Sequence, residues 1–289
     1  MTFRATRATG DAGQQSAETD IHLHRIIQLD GIVHLHRIIH LHRIIFGRPA
    51  PHAHWAPGAE PRHPEPMTTP NRRPASPSGP AIGGIPVPDS TLAREATELI
   101  RDVTDDLLYH HSRRVYLFGA HHGHHQGLDF DPELLYVGAL FHDLGLTGKF
   151  RTSQQRFELD GADEARAFLT ARGIPEDRAR LAWEAIALHT TPEIPHHMAP
   201  EIALVTAGVE LDVLGIGYDD LPTATREAVV AAHPRPDFKR RILHAFHAGL
   251  AHRPATTFGN VKADVLDRFE EGYTRPNFVR IIEDSPWPE

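Results

Sequence analysis

The chain has 289 residues, a formal charge of −8 and no cysteine, which excludes disulfides, a thiolate nucleophile and any cysteine-type zinc site. Its length allows one large or two small domains. The segment before Met67 holds seven Arg against six acidic residues, so the chain from Met67 onward carries −9, a balance that argues against a nucleic-acid partner.

Residues 1–20 are small and polar without helical or strand period, and read as disordered. His-Leu-His-Arg-Ile-Ile then occurs at 22–27, 34–39 and 40–45. A His-rich metal-binding tract is one interpretation. A low-complexity segment without a site is preferred, because the repeats carry no carboxylates and lead into a linker. From Gly47 to Ser90 lie twelve of the 24 prolines, too many for regular helix. Residues 1–90 are thus expected to be a tail and linker, and 91–289 the domain. Met67-Thr68-Thr69-Pro70 looks like an ordinary protein start. Translation from Met67 would make the first 66 residues an artefact of start-site choice, dispensable for folding. No run of about eighteen uncharged apolar residues offers a membrane span, and the N-terminus lacks the pattern of a signal peptide. A cytoplasmic location is expected, with a small-molecule substrate, no membrane partner, and self-association left open.

After Ser90 apolar spacing and caps predict helices near 91–108, 110–121, 132–144, 161–172, 176–189, 200–214, 222–232, 237–252 and 258–271. No convincing strand alternation is present. The expected class is all-α, a multi-helix bundle with its site between facing helices.

The segment Asp131-Pro132-Glu133 supplies an N-cap, a proline at the first helical position and an early acid, so 132–144 reads as one helix closed by Gly145. It is apolar and ends in His142-Asp143. A buried carboxylate is costly unless paired, hydrogen-bonded or bound to a cation, and an imidazole adjoins it, so metal binding is the economical explanation. His111 shares a helix face with Val115 and Phe118 and points coreward. Asp212 is an acid inside an apolar helix and needs a partner; Glu210 is its rival as a ligand. His189 ends a helix containing Trp183 and Ile186, where a functional role and a helix-dipole role weigh about equally. His121, His122, His124 and His125 cross an expected helix end at Gly123, and read as solvent-facing or flanking the site.

These positions resemble the HD-domain superfamily of metal-dependent phosphohydrolases, which has an early His, a His-Asp pair about thirty residues on, and a later Asp. The resemblance covers roughly residues 90–289. It implies a divalent metal held by His111, His142, Asp143 and Asp212, with Asp143 also catalytic. Zinc stands first among zinc, iron, manganese and nickel. Leu144-Gly145-Leu146-Thr147 followed by Arg156-Phe157-Glu158-Leu159-Asp160-Gly161 is similar to the cyanamide hydratase branch. There a His-Asp-Ile-Gly-Thr-Thr run precedes Ser-Phe-Glu-Phe-x-Gly-Gly, and Phe157, Glu158 and Gly161 carry the match. Members with two metals place a His where Phe157 stands, which implies one metal here. Glu158 and His189 are then candidate proton-transfer groups, Phe157 a substrate wall, and Lys149, Arg151, Arg113 and Arg114 candidate anion contacts. The expected chemistry is attack of metal-activated water on a nitrile-type substrate. Hydrolysis of a nucleotide or other phosphomonoester is the alternative, and a non-catalytic binding module the rival class.

Overall fold

A computed structural model of the chain describes residues 79–284. The His-Leu-His repeat, most of the proline-rich stretch and Met67 lie outside the described residues. The first element among the described residues is a small hairpin, β1 (Ala81–Ile82) and β2 (Ile85–Pro86), antiparallel with Ile82 opposite Ile85. It is part of the domain: Ile85 and Val87 are buried in the main core, and Tyr116 donates its hydroxyl to Pro86 O at 2.8 Å. The packed domain therefore includes residues before the expected boundary at 91, because the hairpin is too short to show alternation.

The rest of the described chain is helical, as the spacing of apolar residues predicts. The helices are α1 (Thr91–Val103), α2 (Asp106–Gln126), α3 (Pro132–Phe141), α4 (Phe157–Thr170), α5 (Glu176–Leu188), α6 (Pro200–Val209), α7 (Thr223–Ala232), α8 (Phe238–Leu250), α9 (Ala263–Phe269) and α10 (Phe278–Glu283). The expected helix 91–108 breaks at Thr104. There the Asp105 side chain accepts the Leu108 N–H at 3.0 Å and starts a new helix, a local cap that propensity alone does not reveal. Once started, α2 runs through Gly123 and stops at Gly127, which closes it with φ 66°. Gly123 is a packing residue: a Cβ there would lie 2.7 Å from the Phe130 ring and 2.8 Å from Leu204 Cδ1.

Helix α3 is the centre of the bundle, in contact with α1, α2, α4, α5 and α6. The Asp131 carboxylate accepts the N–H groups of Glu133 and Leu134, Pro132 fills the first turn, and every residue from Leu134 to Phe141 is buried. Burying each large side chain of this run contributes about 1.5–3 kcal/mol. The helix ends at Phe141 rather than 144, and a tight turn over Leu144–Leu146 follows. A second, smaller apolar cluster joins Leu107, Leu108, Leu146, Phe157, Phe238, Ile242, Leu250 and Leu266 under α8 and α9. The last turn of the expected helix 200–214 is a π-turn, Glu210–Leu214, closed by Gly215 with φ 73°.

Helices α2 and α6 pack almost backbone to backbone. A Cβ on Gly119 would sit 2.4 Å from Leu204 O, and one on Gly208 would sit 2.2 Å from Val115 O. Alanine in a helix interior is worth up to about 1 kcal/mol over glycine, but overpacking here has only rigid backbone to push against and costs about 1–3 kcal/mol or more. Gly208→Ala is therefore expected to lower the urea midpoint of unfolding, by a net loss of about 2 kcal/mol; an unchanged or raised midpoint would contradict this packing.

Candidate metal centre

Four helix ends and one helix face bring the polar groups together: His111 from α2, His142 and Asp143 from the end of α3, Glu158 from the first turn of α4, His189 from the end of α5, and Asp212 from the π-turn after α6. All six are buried.

The hydrogen bonds on the outer nitrogens decide what the inner nitrogens can do. His142 Nδ1 lies 2.7 Å from Ala139 O, and His189 Nδ1 lies 2.6 Å from Ile186 O. A carbonyl only accepts, so both Nδ1 atoms carry hydrogen. His111 Nδ1 lies 2.6 Å from Asp212 Oδ2, and a carboxylate imposes the same tautomer. In the neutral rings all three Nε2 atoms are left as lone pairs, and they converge on Asp143. His111 Nε2 and His142 Nε2 are 3.1 Å apart, and Asp143 Oδ2 is 3.4 Å from the first and 3.2 Å from the second. His189 Nε2 stands 3.6 Å from Asp143 Oδ1. Neither Asp143 oxygen has a hydrogen-bond partner although both are buried.

A dry cluster made only of acceptors is unfavourable unless a cation lies among them. His111, His142 and Asp143 each offer one ligand atom, all within 4.8 Å of one another, and these residues fit a divalent ion. The electrostatics agree. Burial by itself would raise the Asp143 carboxyl, but His142, with His189 and His111 nearby, holds it well below its usual range. Burial by itself would lower His142, yet Asp143 outweighs it and raises the affinity of that ring for a proton. A divalent ion would compete for the same atom.

Asp212 is placed differently from the expectation that it ligates directly. Its carboxylate lies behind His111, bound to His111 Nδ1 and to Arg114 through two bonds of 2.8 Å, with Arg235 Nε 3.0 Å away. Burial would raise its carboxyl, but the His111 and Arg114 hydrogen bonds keep it far below the ordinary value. This is a carboxylate–imidazole arrangement that orients a ligand and strengthens it as a donor. Two guanidinium groups so close leave the carboxylate little reason to turn inward. Phe238 reinforces the stack, its ring 5.2 Å from His111 and 4.9 Å from the Arg114 guanidinium. Glu210, the rival ligand, faces outward to His196 at 2.9 Å.

The expected anion contacts do not reach the cluster. Lys149 is 46 % exposed and pairs with Glu164 at 2.7 Å, while exposed Arg151 turns back to Gly148 O at 3.2 Å. Both follow a tight turn that carries the chain to the surface. Arg113 bonds to the Tyr136 hydroxyl and Arg114 to Asp212. Phe157 and Glu158 do come to the site. The Phe157 ring lies 5.6 Å from the His189 ring, and fully buried Glu158 meets Lys262 and the Thr190 hydroxyl. His122, His124 and His125 are exposed and His121 half-buried.

Sequence reasoning missed Arg235, Thr190 and Lys262. The only signal for Lys262 is its place four and seven residues before Leu266 and Phe269, which puts it on an apolar helix face.

Residues 108–224 match the family model described as HD domain. The chain is also 28% identical over 155 residues to each of two Saccharomyces cerevisiae proteins, cyanamide hydratase DDI2 and cyanamide hydratase DDI3. The match covers 52% of this chain and 69% of each relative. It is the same branch that Phe157, Glu158 and Gly161 point to.

Two outcomes are expected. Asp143→Asn should abolish binding of zinc, measured by metal analysis after dialysis, whereas Asp212→Asn should weaken it only about 10–100-fold; equal and complete loss in both would make Asp212 a direct ligand. The second concerns His233, whose backbone carbonyl accepts from Arg114 at 3.1 Å. Burial, with Arg113 and His110 adding to it, pushes its imidazole down to about 3 from an ordinary 6.5. The unfolded chain therefore takes up this proton first. Stability is full above about pH 6.5 and is lost as pH falls toward about 3. In chelator, His233→Gln should lose less of its urea midpoint than wild type between about pH 7 and about pH 5.

Proposed function

We propose that the chain, whose residues 108–224 match the HD-domain model, is a metal-dependent enzyme that hydrates a small neutral nitrile-type molecule, adding water across a carbon–nitrogen triple bond. His111, His142 and Asp143 would hold one divalent ion, zinc first by donor type, with Asp212 fixing the tautomer of His111. When bound, such an ion supplies Lewis acidity, polarising the substrate and lowering the pKa of a water beside it. His189 Nε2, aimed at the Asp143 carboxylate, can take the proton released by the attacking water. Buried Phe157 and Leu146 supply an apolar wall that excludes bulk solvent.

Charge carries this reading. A phosphomonoester dianion needs cations free to face it. Lys149 and Arg151 lie on the surface, Arg114 and Arg235 are engaged by Asp212, and Glu158 engages both Lys262 and, at 3.6 Å, Arg156. A neutral substrate suits a lining whose cations are already engaged, and the similarity to cyanamide hydratases points the same way. The acidic chain suits a small molecule in the cytoplasm rather than a polyanion. Among the described residues no helix is long and apolar enough to cross a membrane.

Purified protein supplied separately with Zn²⁺ and Mn²⁺ is expected to convert cyanamide to urea, to stop when a chelator is added, and to release phosphate from a phosphomonoester only at background. Phosphate release without urea formation would overturn the hydration reading in favour of a phosphohydrolase.

A further inference from the structure

Lys262 is 1 % exposed and Glu158 0 % exposed, and their charged ends meet. Taking such a pair out of water is costly before their attraction offsets it, and packing gives no reason for it. Ala263 and Leu266 already anchor α9, and a methionine at 262 would fill the same space. The pair is also precisely held. Asn260 Oδ1 accepts the Lys262 N–H at 3.0 Å, fixing the start of the helix. Lys262 Nζ donates to Glu158 Oε1 and to Thr190 Oγ1 at 3.2 Å, and Thr190 Oγ1 donates to the same Glu158 oxygen.

Both anchors are chain neighbours of the groups around the cluster, Glu158 following Phe157 and Thr190 following His189. The Phe157 ring bridges the two sets, its centroid 5.4 Å from Nζ and 5.6 Å from the His189 ring. An ammonium has three hydrogens, of which these partners use two. Burial would raise the Glu158 carboxyl, but Lys262 and His189 outweigh it and keep it below its ordinary value. Glu158 is thus held toward its ionised form, while burial lowers the Lys262 ammonium below its ordinary value against the pull of Glu158, which eases release of its proton.

We propose that Lys262, oriented by Glu158 and Thr190, is the catalytic hydrogen-bond and proton donor to the substrate atom on which negative charge accumulates. Resting on the hydration reading, that atom is the nitrile nitrogen. As the new carbon–oxygen bond forms, one π bond of the triple bond breaks and its electron pair moves to nitrogen, which takes a proton from Nζ. The neutral amine then receives the proton that the attacking water released to His189, so both residues return to their starting states, and the imidic acid formed tautomerises to the amide by moving its hydroxyl proton to nitrogen. Glu158 is a positioning residue in this scheme, which reverses its expected role as acid.

The test uses the full chain loaded with zinc. Lys262→Met is expected to keep its zinc and a KM within about threefold of wild type while kcat for cyanamide falls about 10²–10⁴-fold. The fall of wild-type kcat at high pH should disappear in Lys262→Met. Methylamine should partly restore Lys262→Ala. By calorimetry, cyanate, a linear anion with charge on nitrogen, should bind Lys262→Met at least about tenfold more weakly. Unchanged kcat together with unchanged cyanate affinity in Lys262→Met would overturn the proposal. Should that variant fail to fold, Glu158→Gln and Thr190→Val decide: wild-type kcat and pH profile in both would overturn it, and reduced kcat with zinc retained would support it. If wild type yields no urea but releases phosphate from p-nitrophenyl phosphate, the hydration reading fails by itself. Lys262 is then judged on that release, where an undiminished rate in Lys262→Met overturns its role and a drop of about a hundredfold with zinc retained supports it.

Discussion

The Asp143 carboxylate is buried with no donor on either oxygen, and three imidazole Nε2 atoms turn their lone pairs toward it. That arrangement is unstable unless positive charge enters it, and most of what surrounds it makes sense as a means of keeping it in place. Two of the rings are pinned by carbonyls of their own helix ends, Ala139 and Ile186, so their orientation follows from where α3 and α5 terminate. The third lies within a helix, where backbone carbonyls are occupied, and takes its hydrogen-bond acceptor from another element, Asp212.

Holding Asp212 ionised in a dry interior is itself demanding. Arg114 reaches it from α2, one helical turn beyond His111, and Arg235 reaches it from the loop before α8. Arg114 also donates to the carbonyls of His233 and Pro234, so the same guanidinium ties that loop to α2. The π-turn at Glu210–Leu214 belongs to this layer, since it alters the direction of the side chains just where α6 delivers Asp212. The close approach of α2 and α6 at Gly119 and Gly208 brings the two elements near enough for these short bonds. A mistake of about an ångström in that packing would separate the imidazole from its carboxylate, and such small misplacements are costly at reactive sites.

On the other side of the cluster lies a second ion pair, Glu158 with Lys262, at the border of the smaller apolar core. The two buried layers differ in character. Asp212 is held on both oxygens by guanidinium groups and is locked, while Glu158 meets Lys262 and Arg156 through one oxygen and retains the other without a hydrogen-bond partner. One holds the His111 ring in place, and the other leaves hydrogen-bonding capacity beside the Phe157 ring.

The helical class, the buried helix expected over 132–144 and the His142-Asp143 pair are legible in the sequence because they depend on short-range signals, a cap, a proline, a period near 3.6 and an adjacent pair that an apolar helix must bury, whereas the joining of His111 to that pair is legible through the family resemblance. His189 is legible as the polar end of an apolar helix and Glu158 through the resemblance of its segment, and their placement beside the cluster follows from the ends of two helices. The hairpin at 81–86, the break at Thr104 and the π-turn are not, since each rests on one or two local bonds that composition does not register. Least legible is who partners whom. Asp212 as a support behind His111, Lys149 and Arg151 on the surface, and Lys262 against Glu158 across 104 residues are all decided by tertiary packing. A charged side chain is long enough to choose among several partners, and the sequence cannot say which one the fold brings within reach.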